Sequence, residues 1–241
     1  MSLAEIEEWE IKLAASYSQA AYSDSIPNGF RYDSKLGATA FYVRHQDHQW
    51  IIHRGTTDVK DWVINAQAWP WRVGGRWVHA GFALSQRSVW KELRKHLNPK
   101  GRTYCVGHSL GGANATVSAL RLAQEGFDDI RLITAGRPNV FWKSKKTMKG
   151  LTCNVSLVAG SDIVATVPRM LYGCDGAKAE ASSQDIIYFA NTGEDFLNPD
   201  KSFRDEDRRA NLKEIVSDHM METSYTPRIE KMDLEKLCRS I

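Results

Sequence analysis

No stretch of about 18 uncharged apolar residues occurs in the chain, so no helix is expected to cross a bilayer. The first residues lack a basic region, an apolar core and a small-residue cleavage site, so no Sec signal peptide is expected. The expected location is cytoplasmic, or outside the cell after export without such a leader. Charge of either sign is scarce in excess: 32 Lys and Arg against 29 Asp and Glu leave +3, which makes nucleic acid an unexpected partner. The densest basic cluster, Lys143, Lys145, Lys146 and Lys149, reads as a solvated helix face. Only four cysteines are present and none form a C-x-x-C pair, which excludes a zinc ribbon and a thioredoxin motif. Cys105 and Cys153 lie in apolar runs and are expected to be buried free thiols. There is no G-x-G-x-x-G, and Gly112 is followed by Ala113 where a P-loop needs lysine, so no phosphate cradle is expected. Internal repeats and low-complexity linkers are also missing. The 241 residues are therefore read as one domain.

What is present is an alternation of short apolar runs and helical patterns. Ser2 and Glu5 form a candidate capping box, and Leu3, Ile6, Trp9, Leu13 and Tyr17 recur at spacings of three and four, predicting an amphipathic first helix. "ATAFYVR" and "QWIIHR", joined by His45-Gln46-Asp47-His48, predict a hairpin with a solvated turn. A Trp-rich stretch follows, too irregular for one element. Then come a helix over 82–97, a strand before Ser109, a helix to Glu125, the strand "IRLITAG", a helix over 141–149 and the strand "CNVSLVAG". Gly173 to Ser183 reads as a small-residue loop, and "FRDEDRRANLKEIV" and "RIEKMDLEKLCRSI" as late helices. Strand, helix, strand, helix implies right-handed crossovers and an α/β protein with a mixed, mostly parallel sheet flanked by helices.

The chemistry concentrates in "VGHSLGG", residues 106 to 112. A Gly-x-Ser-x-Gly turn between strand and helix holds its serine at a sharp corner where bulkier neighbours would clash. The helix that follows also presents backbone N–H groups, that of Leu110 among them, where an oxyanion can form. A serine needs a base, and the base an orienting acid, in the chain order Ser, Asp or Glu, His. Of the seven histidines only His219 lies downstream of Ser109. Asp162 follows the apolar strand "VSLVAG", at the strand end where α/β sites form. His79 and His108 read as structural, and Arg54 as an anchor for the neighbouring loop.

Five ordered blocks, "HRGTTDVKDW", "VHAGF", "VGHSLGG", "GSDIVATVP" and "SDHMMETSY", resemble the class 3 lipases. The resemblance implies an α/β-hydrolase fold with Ser109 as nucleophile, Asp162 as acid and His219 as base. It also implies an oxyanion hole from Thr56 and the Leu110 amide, and a lid over 58–66. Within that stretch Asp58 opens a short helical pattern whose Val59, Trp62, Val63 and Ala66 would share one apolar face. Asn65 stands where some relatives carry an aspartate supporting the oxyanion residue, and Ala165 where proline is common. The implied function is hydrolysis of lipid esters of the triacylglycerol type, at a lipid–water interface, with no cofactor. Alternatives within the fold are a phospholipase A1 or a feruloyl-type esterase. A catalytically inactive binding module is the alternative from another class.

Overall fold

A computed structural model of the protein describes residues 6–56, 69–142, 147–167, 172–173, 178–179, 184–210 and 217–239. Helix α1, Glu8–Ala20, opens the described chain. Strands β1 (Phe30–Asp33), β2 (Thr39–His45) and β3 (His48–His53) follow, then the hairpin β4 (Pro70–Val73) and β5 (Arg76–His79). Next come α2 (Ala80–Arg94), β6 (Thr103–His108), α3 (Leu110–Gln124) and β7 (Ile130–Ala135). Short strands β8 (Phe141–Trp142) and β9 (Thr147–Met148) lead to the long β10, Leu151–Ala159. The last part holds β11 (Tyr172–Gly173), β12 (Lys178–Ala179), β13 (Asp185–Phe189), β14 (Asp195–Leu197), α4 (Lys201–Ala210), α5 (Thr226–Lys231) and α6 (Leu234–Arg239).

Eight strands form the main sheet in the order β1-β2-β3-β6-β7-β10-β13-β14. The inner pairs β3–β6, β6–β7, β7–β10 and β10–β13 are parallel, while β1–β2, β2–β3 and β13–β14 are antiparallel. This is the mixed, mostly parallel sheet expected of an α/β-hydrolase. Its central strands are buried on both faces because helices cover both, as parallel strands require. On one face α1 and α5 pack over Trp50, Tyr104 and Val155; on the other α2 and α3 pack over Ile51, Cys105 and Leu132. Parallel order sends β3, β6, β7 and β10 out of the sheet at one edge. Thr56, Ser109 and Asp162 all lie within three residues of those strand ends.

The hairpin turns at Gln46 and Asp47, both with positive φ, the conformation a two-residue turn needs between right-twisted strands. Cys105 and Cys153 are both buried, and burial pushes the Cys105 thiol pKa upward.

Three expectations change. Ser2 and Glu5 lie outside the described residues, and the helix is capped further along, where the Glu7 backbone N–H donates to Glu10 Oε2 at 2.7 Å. Its buried face is also rotated. Trp9 is 37% exposed, whereas Glu10 is buried by an ion pair with Arg131 at 2.8 Å and a hydrogen bond from Tyr104. The second is 141–149, where β8 and β9 replace the expected helix, because Phe141 pairs across to Val78 of β5 and extends a small second sheet. Lys143, Lys145 and Lys146 fall outside the described residues. Lys149 is exposed in a turn. The third is "RIEKMDLEKLCRSI", which is two short helices parted at Met232-Asp233, where buried Met232 takes extended backbone. Most of Gly173 to Ser183 and the end of "FRDEDRRANLKEIV" lie outside the described residues.

Candidate active site

Ser109 occupies the corner between β6 and α3 with φ 57° and ψ −129°, a conformation costly for any residue with a Cβ. The glycines around it are required by contact. A Cβ on Gly107 would lie 2.4 Å from the Gly111 carbonyl carbon, and one on Gly111 would lie 2.2 Å from the His53 carbonyl oxygen. The elbow thus presses its backbone against the end of β3, which carries the loop Arg54-Gly55-Thr56.

The three residues expected as a triad converge. His219 Nε2 is 2.8 Å from Ser109 Oγ, and His219 Nδ1 is 2.9 Å from each Asp162 carboxylate oxygen. A carboxylate only accepts, so Nδ1 carries the hydrogen and Nε2 presents its lone pair to the serine hydroxyl. Ser109 and Asp162 are fully buried. Asp162 also accepts the Val164 backbone N–H at 2.8 Å and the Tyr225 hydroxyl at 2.6 Å. That hydroxyl in turn accepts the Ala159 backbone N–H at 3.0 Å. Burial and the neighbouring carboxylate hold the Tyr225 pKa well above the usual tyrosine range, so it stays a donor.

The loops that bear His219 and Asp162 are tied together one residue earlier. Asp218 accepts the Ser161 backbone N–H at 2.9 Å and is paired with Arg228 at 3.3 Å. Neither Tyr225 nor Asp218 had a site role in the sequence reading. Tyr225 stood in the same block as the base, but nothing in a single sequence says that its ring turns back to the acid.

Leu110 heads α3, where first-turn N–H groups have no helical acceptor, and Thr56 follows the loop pressed against the elbow. Arg54 pairs with Asp24 at 3.0 Å, anchoring that loop to the segment after α1. His79 is buried, stacks on Phe82 at 4.3 Å, and sits where its backbone N–H holds Val140. His53, behind the loop, is 2.8 Å from Ser118 Oγ, and burial pushes its pKa down to about 3. The lid positions Asp58, Val59, Trp62, Val63 and Ala66 lie outside the described residues, as does Asn65. Among the described residues no cluster of His, Cys, Asp and Glu could hold a metal ion, and no helix is long and apolar enough to cross a membrane.

A nucleophile elbow at a parallel strand's end, with an acid after a later strand and the base last in the chain, defines an α/β-hydrolase carrying a serine, histidine and aspartate constellation. The family model for lipase (class 3) matches residues 50–172. The chain belongs to the class 3 lipase family. A secreted mono- and diacylglycerol lipase of Fusarium solani is 32% identical over 154 residues, covering 58% of this chain and 46% of that protein. The chain thus spans about half the length of that curated relative. Among solved structures, a Rhizomucor miehei lipase–propeptide complex matches with TM-score 0.61 and 20% identity over 90% of this chain and 81% of that one. A Yarrowia lipolytica lipase matches with TM-score 0.66 and 16% identity over 88% and 91%. At these identities both describe the fold alone.

Proposed function

We propose that the protein is a serine hydrolase of lipid esters that works through an acyl-enzyme. The observation that carries the reading is the chain Ser109 Oγ, His219 Nε2, His219 Nδ1, Asp162, continuous at 2.8 and 2.9 Å and seated on a strained elbow. His219 takes the serine proton as Oγ attacks the ester carbonyl. The carbonyl oxygen becomes an oxyanion held by the Leu110 amide and Thr56, and His219 then gives its proton to the departing alcohol. Water, deprotonated by the same histidine, attacks the acyl-enzyme and releases the acid. Asp162 keeps its charge throughout, holding the imidazole in the tautomer that attack requires. No cofactor enters these steps.

Substrate class rests on the Fusarium solani relative, whose name specifies mono- and diacylglycerols. The word "secreted" in the Fusarium name supports export of this chain as well. Full burial of Ser109 supports a covering element that must move before an ester reaches it. We assign that role to 58–66, whose apolar positions would favour opening at a lipid surface. One experiment tests the reading. A fluorophosphonate should label the wild type and not Ser109→Ala, and hydrolysis of a medium-chain ester should rise sharply above its solubility limit. An unlabelled wild type would sink the hydrolase assignment, and smooth saturation through the limit would sink the lid. Comparing triglyceride with phospholipid emulsions in the same assay separates the lipase from the phospholipase form.

A further inference from the structure

His108 precedes the nucleophile and is joined to two other parts of the site. Its Nε2 lies 2.6 Å from the backbone oxygen of His219, and its Nδ1 lies 2.8 Å from the Tyr22 hydroxyl. A carbonyl oxygen only accepts, so Nε2 carries the ring hydrogen. Burial and the adjacent His219 push the His108 pKa well below the ordinary histidine range, so the ring is neutral. Nδ1 therefore offers a lone pair, and the Tyr22 hydroxyl donates to it. A charged ring here would be harmful, because the His108 and His219 ring centroids are 4.7 Å apart and His219 must itself become cationic during the reaction.

The same tyrosine oxygen meets the oxyanion loop. A Cβ on Gly55 would lie 2.0 Å from the Tyr22 hydroxyl and 2.7 Å from the His108 carbonyl oxygen. Residues 22, 55, 108 and 219 are far apart in sequence and belong to four different parts of the fold: the turn after α1, the loop after β3, the last residue of β6, and the 3-10 turn that carries the base. The base loop needs such an outside hold. His219 ends a three-residue 3-10 turn, and a π-turn, Met221–Tyr225, begins two residues later, so no long helix fixes its carbonyl. Asp218 secures the residue before it through Ser161 and Arg228. His108 secures His219 itself.

We propose that Tyr22 and His108 are a positioning pair that locks the base His219 and the oxyanion loop to the nucleophile elbow in one register. Neither residue transfers a proton to substrate. The pair sets the alignment on which attack by Ser109 depends, and this rests on the serine-hydrolase reading above.

The test measures kcat and KM of the full chain on a soluble butyrate ester, well below each variant's own thermal midpoint. Tyr22→Phe keeps the ring and removes the donor, and should lower kcat about tenfold with KM within about twofold, since small misalignments cost rate before binding. His108→Gln offers an N–H to the His219 carbonyl and an oxygen to Tyr22, and should stay within about threefold of wild type, whereas His108→Phe should lose about a hundredfold. Adding Tyr22→Phe to His108→Phe should cost nothing further, because the two act as a unit. An unchanged kcat in Tyr22→Phe overturns the proposal. So does a raised KM at constant kcat, which would make Tyr22 a substrate contact, or a His108→Gln enzyme as slow as His108→Phe. If the wild type itself hydrolyses no ester and takes up no fluorophosphonate, the hydrolase reading fails, and the proposal with it.

Discussion

At the scale of single residues the site is an arrangement of donors around one carboxylate. Asp162 receives the His219 ring N–H, the Val164 backbone N–H and the Tyr225 hydroxyl, so its charge is spent in three directions while it remains fully buried. Asp162→Asn would present an amide where an acceptor is needed and should lower kcat roughly a thousandfold or more by favouring the wrong histidine tautomer. Tyr225→Phe should be milder. It leaves the Ala159 N–H without its acceptor and Asp162 Oδ2 with only the His219 ring N–H beside it, and should cost about tenfold in kcat, of the order of one buried hydrogen bond. Steady-state kinetics on a soluble ester measures both. Near-normal turnover in Asp162→Asn would mean that another acid orients His219. Asp218 is a poor replacement, since Ser161 and Arg228 already engage it, and Asp185 is bound to Asn198 at 2.9 Å.

At the scale of elements the elbow is where sequence and structure agree most closely, and the reason is steric. Gly111→Ala should abolish activity and lower the thermal midpoint, because its Cβ would meet a backbone oxygen at 2.2 Å and backbone, unlike a flexible side chain, cannot step aside. Overpacking of this kind typically costs 1–3 kcal/mol, about what a strained insertion imposes. A variant that folds at the wild-type midpoint and still labels with fluorophosphonate would show that the elbow can open. The mostly parallel character of the sheet, the hairpin at Gln46-Asp47 and the strand-to-helix step at Ser109 were legible because each follows from local pattern. Other features were set from a distance. The rotation of α1 depends on Arg131 and Tyr104 of the sheet, and no periodicity within the helix carries that information. The strands β8 and β9 exist through pairing with β5 and β12, contacts that a nine-residue window cannot contain. "DIIYF", residues 185 to 189, was not read as a strand, though it lies beside β10 in the sheet; so short an apolar run carries no periodicity that separates a buried strand from other segments. In the site, chain order left His219 as the histidine after Ser109 and a strand end pointed to Asp162 for the proposed triad, whereas the contacts made by Tyr225, Asp218 and Tyr22 emerge only when distant segments meet.

For the whole molecule, the histidines set a limit on stability in acid. His53 and His108 are both buried, and desolvation lowers the pKa of each, for His53 to about 3. In the unfolded chain each would titrate near the ordinary value of 6.5. Between those two values the unfolded state binds a proton that the folded state refuses, so the contribution of each neutral histidine is complete above pH 6.5 and is lost as pH falls toward the folded value. The loss approaches about 1.4 kcal/mol per pH unit for each group. The thermal midpoint should therefore fall progressively below about pH 6, before most carboxylates protonate. His53 allows this to be tested away from the reacting atoms, since its ring meets Ser118 at 2.8 Å and takes no direct part in the triad. His53→Gln keeps a polar group within reach of Ser118 but cannot take up a proton at these pH values. Its midpoint at pH 7 should be somewhat lower than that of the wild type, because the ring's packing is lost, while its further drop between pH 7 and pH 5 should be visibly smaller. Scanning calorimetry across that range decides the matter: parallel curves for the two proteins would mean that proton uptake by His53 contributes nothing, and that acid sensitivity arises from His108 or the carboxylates alone.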